Sequence, residues 1–185
     1  MELKPIFVDG ETSEGLYAIQ YPENDEHEFE RLFDLWNDAE YVHNYCLDNQ
    51  EYLADEHFEG SSIDSIEIKI VGEAIKLETS LEDLTAEGSD LQAMFKPLSI
   101  KESEILVLQQ SKAKANKTHK PILRIYGIRL NERTFVVTGG AIKLTRYMKD
   151  HPDTQRELDK LKMVKTFLSE VGINTEEDLI YYYES

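Results

Sequence analysis

Phe29, Leu32, Phe33 and Trp36 recur at i, i+3, i+4 and i+7, the stripe of an amphipathic helix, and Asn37-Asp38 offers a break with a new N-cap. A second helix then turns Tyr41, Val42, Tyr45 and Cys46 inward. Ahead of both, Leu16 to Tyr21 form a short β-prone run closed by Pro22 and the turn-forming Glu23, Asn24 and Asp25. After Gly60-Ser61-Ser62, the residues Ile63, Ile66, Ile70, Ala74, Leu77, Leu81 and Leu84 step by three or four throughout. That period predicts one helix, although four isoleucines in eight residues have the propensity of a strand.

Gly88-Ser89 ends this helix, and Leu91 to Leu98 read as a short apolar anchor held by Pro97. The pattern then becomes strand-like. Glu104 to Gln109 lead into a lysine-rich connection carrying Lys112, Lys114, Lys117 and Lys120, and Pro121 to Leu130 and Thr134 to Leu144 flank the turn Asn131-Glu132-Arg133 as a hairpin. Pro152 and Asp153 introduce a last long helix with Thr154 and Glu157 at capping-box spacing. Its predicted stripe is Leu158, Leu161, Val164, Leu168 and Val171, stopped by Gly172, and Thr175 to Tyr183 add a short helical turn. With neither repeat nor flexible linker, residues 1 to 185 are expected to form one α+β domain, a small antiparallel sheet with amino-terminal helices and a carboxy-terminal helix.

Composition supports a real core: 41% of the 185 residues are hydrophobic, too many for a disordered chain. Cys46 is the single cysteine, which excludes an intramolecular disulfide and any multi-thiolate zinc site. The amino terminus lacks the basic start and apolar run of a secretory signal, and no stretch approaches the roughly 20 apolar residues of a membrane span. A soluble cytoplasmic protein without membrane attachment is expected. The net charge of −17 rules out a uniformly basic nucleic-acid coat, but the charge is split. Residues 1 to 95 carry 25 acids and 4 bases, whereas residues 96 to 165 carry 7 acids and 16 bases.

The basic segment contains the candidate chemistry. In a regular strand Arg124 and Arg129 point to opposite faces. A bulge at Gly127, matched by one at Gly139-Gly140, would gather Arg124, Tyr126, Arg129 and Lys143 on one outer face, with Arg146 and Tyr147 just beyond. Leu123, Ile125, Ile128, Phe135, Val137, Ile142 and Leu144 would then line the core. Arginine forks match phosphate oxygens and a tyrosine offers a stacking surface, so the face suits a nucleic-acid backbone; simple solvation, or pairing with the acidic half, is the plain alternative.

Gly139-Gly140 lacks the following Lys-Ser/Thr of a phosphate loop. None of His27, His43, His57, His119 and His151 has the i, i+4 histidine partner of a metal site, so neither metal nor cofactor is expected; His151 is the one acid/base candidate among them, its plain alternative being a surface histidine ahead of a helix. Cys46 lies on an apolar stripe and reads as a buried structural thiol.

The order LQAMFKPL, ILRIYGIRL, a tight turn, TFVVTGGAIKLTRYM and a helix opened by DTQREL resembles the RelE/ParE toxin superfamily, in particular its RelE and HigB-like branch, over about residues 91 to 168. The resemblance implies ribosome-associated, metal-independent cleavage of mRNA and a cognate antitoxin with a helix-turn-helix. It assigns Arg124 to the scissile phosphate, Lys143 and Arg146 to the second basic group and Tyr147 to the aromatic position. In that chemistry the 2′-hydroxyl attacks the phosphate, Arg124 and Arg129 hold it, Lys143 or Arg146 meets the developing charge and Tyr147 or His151 moves the proton. Tyr126, Lys112, Lys114, Lys117 and Lys120 would bind RNA around them. The strand Leu16 to Tyr21 followed by two helices is similar to the family's start, but the helix at 61 to 87 has no counterpart there and the chain is strongly acidic, which keeps a second expectation open: a non-enzymatic binding protein of phage or mobile-element origin whose acidic half meets a basic partner.

Overall fold

A computed structural model describes residues 1–54, 58, 60–88, 90–98, 108–115 and 120–184. Six strands form one mixed sheet in the order β1-β2-β6-β5-β4-β3. They are β1 (Glu2–Val8), β2 (Gly15–Gln20), β3 (Lys96–Pro97), β4 (Gln109–Ala113), β5 (Leu123–Arg129) and β6 (Phe135–Ile142). The helices are α1 (Glu28–Asn37), α2 (Ala39–Asp48), α3 (Gln50–Leu53), α4 (Ile63–Ala86), α5 (Pro152–Glu170) and α6 (Glu177–Glu184). The α+β class, the helices predicted over 29–36, 41–46 and 63–84, and the closing helices all stand. None of the described helices is long and apolar enough to cross a membrane.

Local chemistry explains the helix starts. Asp38 closes α1 and caps α2 by accepting from the Glu40 and Tyr41 amides, and Ser62 caps α4 through the Ser65 amide. The stripe of α4 buries Ile66, Ile70, Ala74, Leu77 and Leu81, so period overrides the strand propensity of its isoleucines. From the same stripe Glu73 reaches the sheet, where its Oε2 accepts from the Ile122 and Leu123 amides at 2.8 and 2.9 Å.

The sheet departs from the expected one in three ways. It is not purely antiparallel, because β2 pairs with β6 in parallel, Leu16 beside Phe135 and Ala18 beside Val137. A strand absent from the sequence reading, β1, pairs antiparallel with β2 at the sheet edge; Pro5, beside a register irregularity, is tolerable there and hides the strand in the sequence. Lys112 belongs to β4, not to a connection, and residues 104–107 of the predicted strand lie outside the described residues.

Helices cover both sheet faces. On one, α1, α2 and α4 pack on Leu16, Ala18, Leu123, Ile125, Phe135, Val137 and Ile142; on the other, Leu161, Val164 and Leu168 of α5 and Leu179 of α6 pack on Tyr17, Ile19, Tyr126, Ile128 and Val136. The face expected to be open is therefore a second core. Near-continuous apolar strands are the sequence mark of a sheet buried on both sides.

Candidate functional site

Of the two expected bulges, the one in β6 forms, one residue ahead of Gly139, and puts Phe135, Val137, Ile142 and Leu144 on one core face, while the one at Gly127 does not form. Against β4, strand β5 runs without interruption from Ala113 opposite Ile125 to Gln109 opposite Arg129. The extra residue is Thr138 in β6, since Tyr126 faces Gly139 and Gly127 faces Val137. Strict alternation along β5 puts Arg124, Tyr126 and Ile128 toward α5, and Leu123, Ile125, Gly127 and Arg129 toward α4. Gly127 is needed for packing: a Cβ there would meet Val136 O at 2.9 Å and the Phe95 ring at 3.3 Å.

Arg124 and Lys143 still share one face, and Lys112 joins them. Lys112 sits opposite Tyr126, one step along from Arg124, and Lys143, just past β6, donates nothing to a carboxylate but folds onto the carbonyls of Thr145 and Arg146. Arg124 donates to the carbonyls of Pro121 and Leu123 at 2.8 and 2.7 Å, and Lys112 to that of Leu98 at 3.4 Å. Burial and then the Arg124 charge hold the proton affinities of Lys112 and Lys143 below the ordinary lysine value. Burial does the same to Arg124. Among the described residues, none of the three has a carboxylate within salt-bridge distance. Three half-buried cations, none of them in a salt bridge among the described residues, make a site for an anion.

Other expected members are placed elsewhere. Arg129 lies on the opposite face, 6% exposed and bonded to Glu132 at 2.7 Å, so it cannot share a phosphate with Arg124. Tyr126 is fully buried under α5 and offers no stacking surface. Arg146 and Tyr147 are exposed at the rim, the guanidinium 5.4 Å from the ring centre. Lys114 and Lys120 are exposed, and Lys117, His57 and His119 lie outside the described residues. His151 is committed to structure. It is 2% exposed, its Nδ1 accepts from the Asp153 amide as the cap of α5, and its Nε2 meets Asn49 Oδ1 at 3.0 Å.

This cap replaces the expected Thr154/Glu157 box and turns Glu157 inward. The buried stripe of α5 is Thr154, Glu157, Leu161, Val164 and Leu168, while Leu158 and Val171 flank it. Glu157 lines a cleft of about 540 Å3 between α1, α2, the end of β6 and α5, which the sequence did not disclose. Lys160 Nζ bridges two carboxylates there, 2.9 Å from Glu28 Oε2 and 3.1 Å from Glu157 Oε1. Glu28 also takes both forks of Arg31, at 2.7 and 2.9 Å. Burial works against its charge, but Arg31 and Lys160 prevail and hold it below the usual carboxylate range. For Glu157, burial, with the Glu28 charge added, outweighs Lys160 and the more distant Arg31 and pushes the carboxyl up to about 7. Nearby, Tyr45 donates to Asp153 at 2.9 Å and Tyr21 to the Thr138 carbonyl at 2.8 Å.

Among the described residues no group of three His, Cys, Asp or Glu is set to hold a metal ion. Compared with known protein families, with curated proteins and with solved structures, the chain matches none.

Proposed function

We propose that this chain grips the phosphate backbone of RNA through Lys112, Arg124 and Lys143 and, as its likeness to RelE-type toxins implies, cuts message on the ribosome under the control of a helix-turn-helix antitoxin. The observation that carries the reading is that, among the described residues, none of three neighbouring cations is in a salt bridge, two of them being lysines whose charge is disfavoured by burial and then by the third. A phosphate entering the cluster relieves that repulsion. In a strand held there, Arg124 and Lys143 stabilise the charge that develops as the 2′-hydroxyl attacks, and Tyr147 beside Arg146 is the exposed group for proton transfer. Neither Arg129 nor His151 belongs to this site.

A second reading has its own support. Ile68 and Ile75 stand 74% and 54% exposed, two turns apart on α4, with Asp64 and Glu78 one turn beyond them. Such a face suits a non-enzymatic protein that binds a basic amphipathic partner.

Induced expression separates the two. Growth arrest with cleaved transcripts, lost in the Arg124→Ala/Lys143→Ala double variant, is the expected outcome. Normal growth with intact message would leave the binding reading in its place.

A further inference from the structure

The cleft between α1, α2 and α5 has chemistry opposite to that of the basic cluster. Its lining brings five carboxylates, those of Glu23, Glu28, Asp48, Asp153 and Glu157, against three cations, Arg31, Arg156 and Lys160. All three cations are already engaged, with Glu28, Asp153 and the Glu28/Glu157 pair respectively. Among the described residues, the polar atom of this lining that is buried without a hydrogen bond belongs to an acid whose other oxygen meets Lys160. Glu157 is only 5% exposed, and its Oε2 has no hydrogen-bond partner. Leaving a buried carboxylate oxygen without a donor is costly, more so when it is charged, so a structure that retains one leaves a strong acceptor for a ligand.

The floor and walls add to this. Strand β2 pairs with β6 only as far as Val137, so Gly139 to Ile142 have an uncovered edge on the cleft side. The Lys143 amide bonds back to Ile122 O, whereas the carbonyls of Ile142 and Thr138 face outward to Tyr45 and Tyr21. Alternation then turns the Gly140 carbonyl outward between them as a further acceptor. The walls are Leu32, Leu35, Trp36 and Tyr41, apolar and aromatic surface of the kind that holds a cation on an alkyl stem.

We propose that this cleft binds an organic cation, a guanidinium or alkylammonium group on an apolar stem, with Glu157 as its counter-ion. The cation brings the donor that Glu157 Oε2 lacks when the carboxylate turns off Gly139 toward the cleft, and the stem lies against Trp36 and Leu32. Binding draws the proton off Glu157 into solvent, so affinity rises with pH between about 6 and 8. The groups that face Glu157 are Lys160 on its own helix, Glu28 and Arg31 on α1, Tyr21 on β2 and Tyr126 on β5. The two tyrosines have their proton affinities raised by burial and stay neutral across this range, and His151, which also lines the cleft, is held below its ordinary value by burial, so none of the three follows Glu157 as the pH rises.

Trp36, the only tryptophan, reports on the site directly. The full chain is titrated with agmatine and, separately, with a short peptide containing one arginine, following Trp36 emission and heat release in two buffers of different ionisation enthalpy. Saturable one-site binding with proton release at pH 7, weakened at least tenfold by Glu157→Gln and about twofold by Asp48→Asn at the exposed rim, is the expected result. Agmatine binding marks a free small cation, and binding of the peptide alone marks a side chain of a protein partner. Circular dichroism of each variant establishes that it is folded. Absence of binding by both probes, or equal affinity in folded Glu157→Gln, overturns the proposal. Neither outcome touches the basic cluster.

Discussion

The carboxylate of Glu157 occupies the place that a side chain on Gly139 would need: a Cβ built there falls 1.9 Å from Oε2. The glycine is in the strand to admit an acid from the opposing helix. Gly139→Ala is expected to destabilise the fold by about 2–4 kcal/mol, since neither the strand backbone nor the acid, held by Lys160, can move freely. Urea denaturation of Gly139→Ala, Glu157→Ala and the double variant tests the pairing. Strict additivity of the two losses would show that the residues do not compete for one space.

Stability should also depend on pH through the same acid. The folded carboxyl is raised to about 7 from an ordinary value of 4.5, so between those values the folded state binds more protons than the unfolded one. The Glu157 contribution is present below pH 4.5 and is lost as pH rises through 7, by an amount on the order of 3 kcal/mol. Glu28, held low, acts in the opposite direction at lower pH. Comparing melting temperatures of wild type and Glu157→Gln from pH 5 to 8 isolates the effect: the variant is expected to lose less stability over this interval. Parallel curves would contradict the assignment.

The two arginines of β5 should behave differently. Retention of single-stranded RNA by the full chain is expected to weaken with Arg124→Ala, Lys112→Ala or Lys143→Ala, each lowering the slope of log affinity against log salt by roughly 0.7. Arg129→Ala should leave that slope unchanged, because its guanidinium lies on the other side of the sheet with Glu132. Equal effects at 124 and 129 would mean that RNA does not select this face.

Glu73 offers a test of the other core. It is 1% exposed, and its one oxygen serves two strand amides, so Glu73→Ala is expected to cost about 2–4 kcal/mol in chemical denaturation. Glu73→Gln, which keeps an acceptor, should cost visibly less. Burial already raises the Glu73 pKa, which makes the neutral replacement tolerable.

The helices were legible in the sequence because each writes its own period: Phe29 to Trp36 and Ile63 to Leu84 needed no partner to be recognised. The sheet was legible strand by strand for Leu16 to Tyr21 and the hairpin around Asn131, but not in how its faces are used. Gly127 and Gly139 each looked like a bulge, yet each is small because something from elsewhere, Phe95 or Glu157, fills the space above it. A glycine records that room is needed and not what needs it. For the site, the sequence joined Arg124 to Lys143 correctly and added Arg129 wrongly through that misplaced bulge. Lys112 appeared only as a member of a lysine run. The Glu28–Lys160–Glu157 cluster left no local signal, since Glu28 is 132 residues from Lys160 and Glu157 was accounted for as a capping residue.

The parallel contact between β2 and β6 sets an order of events during synthesis. Residues 16 to 18 bond to residues 135 to 137, and the hydrophobic faces of α1, α2 and α4 close onto strands that include β5 and β6. Most of the first hundred residues therefore emerge from a ribosome with no finished surface to settle on, a topology of long sequence separation that folds slowly. Over that interval the net charge of −21 carried by residues 1 to 95 has a task apart from any partner. Nascent segments of that charge repel one another, and their exposed isoleucine and leucine stripes are kept apart until the last strand arrives to complete the sheet.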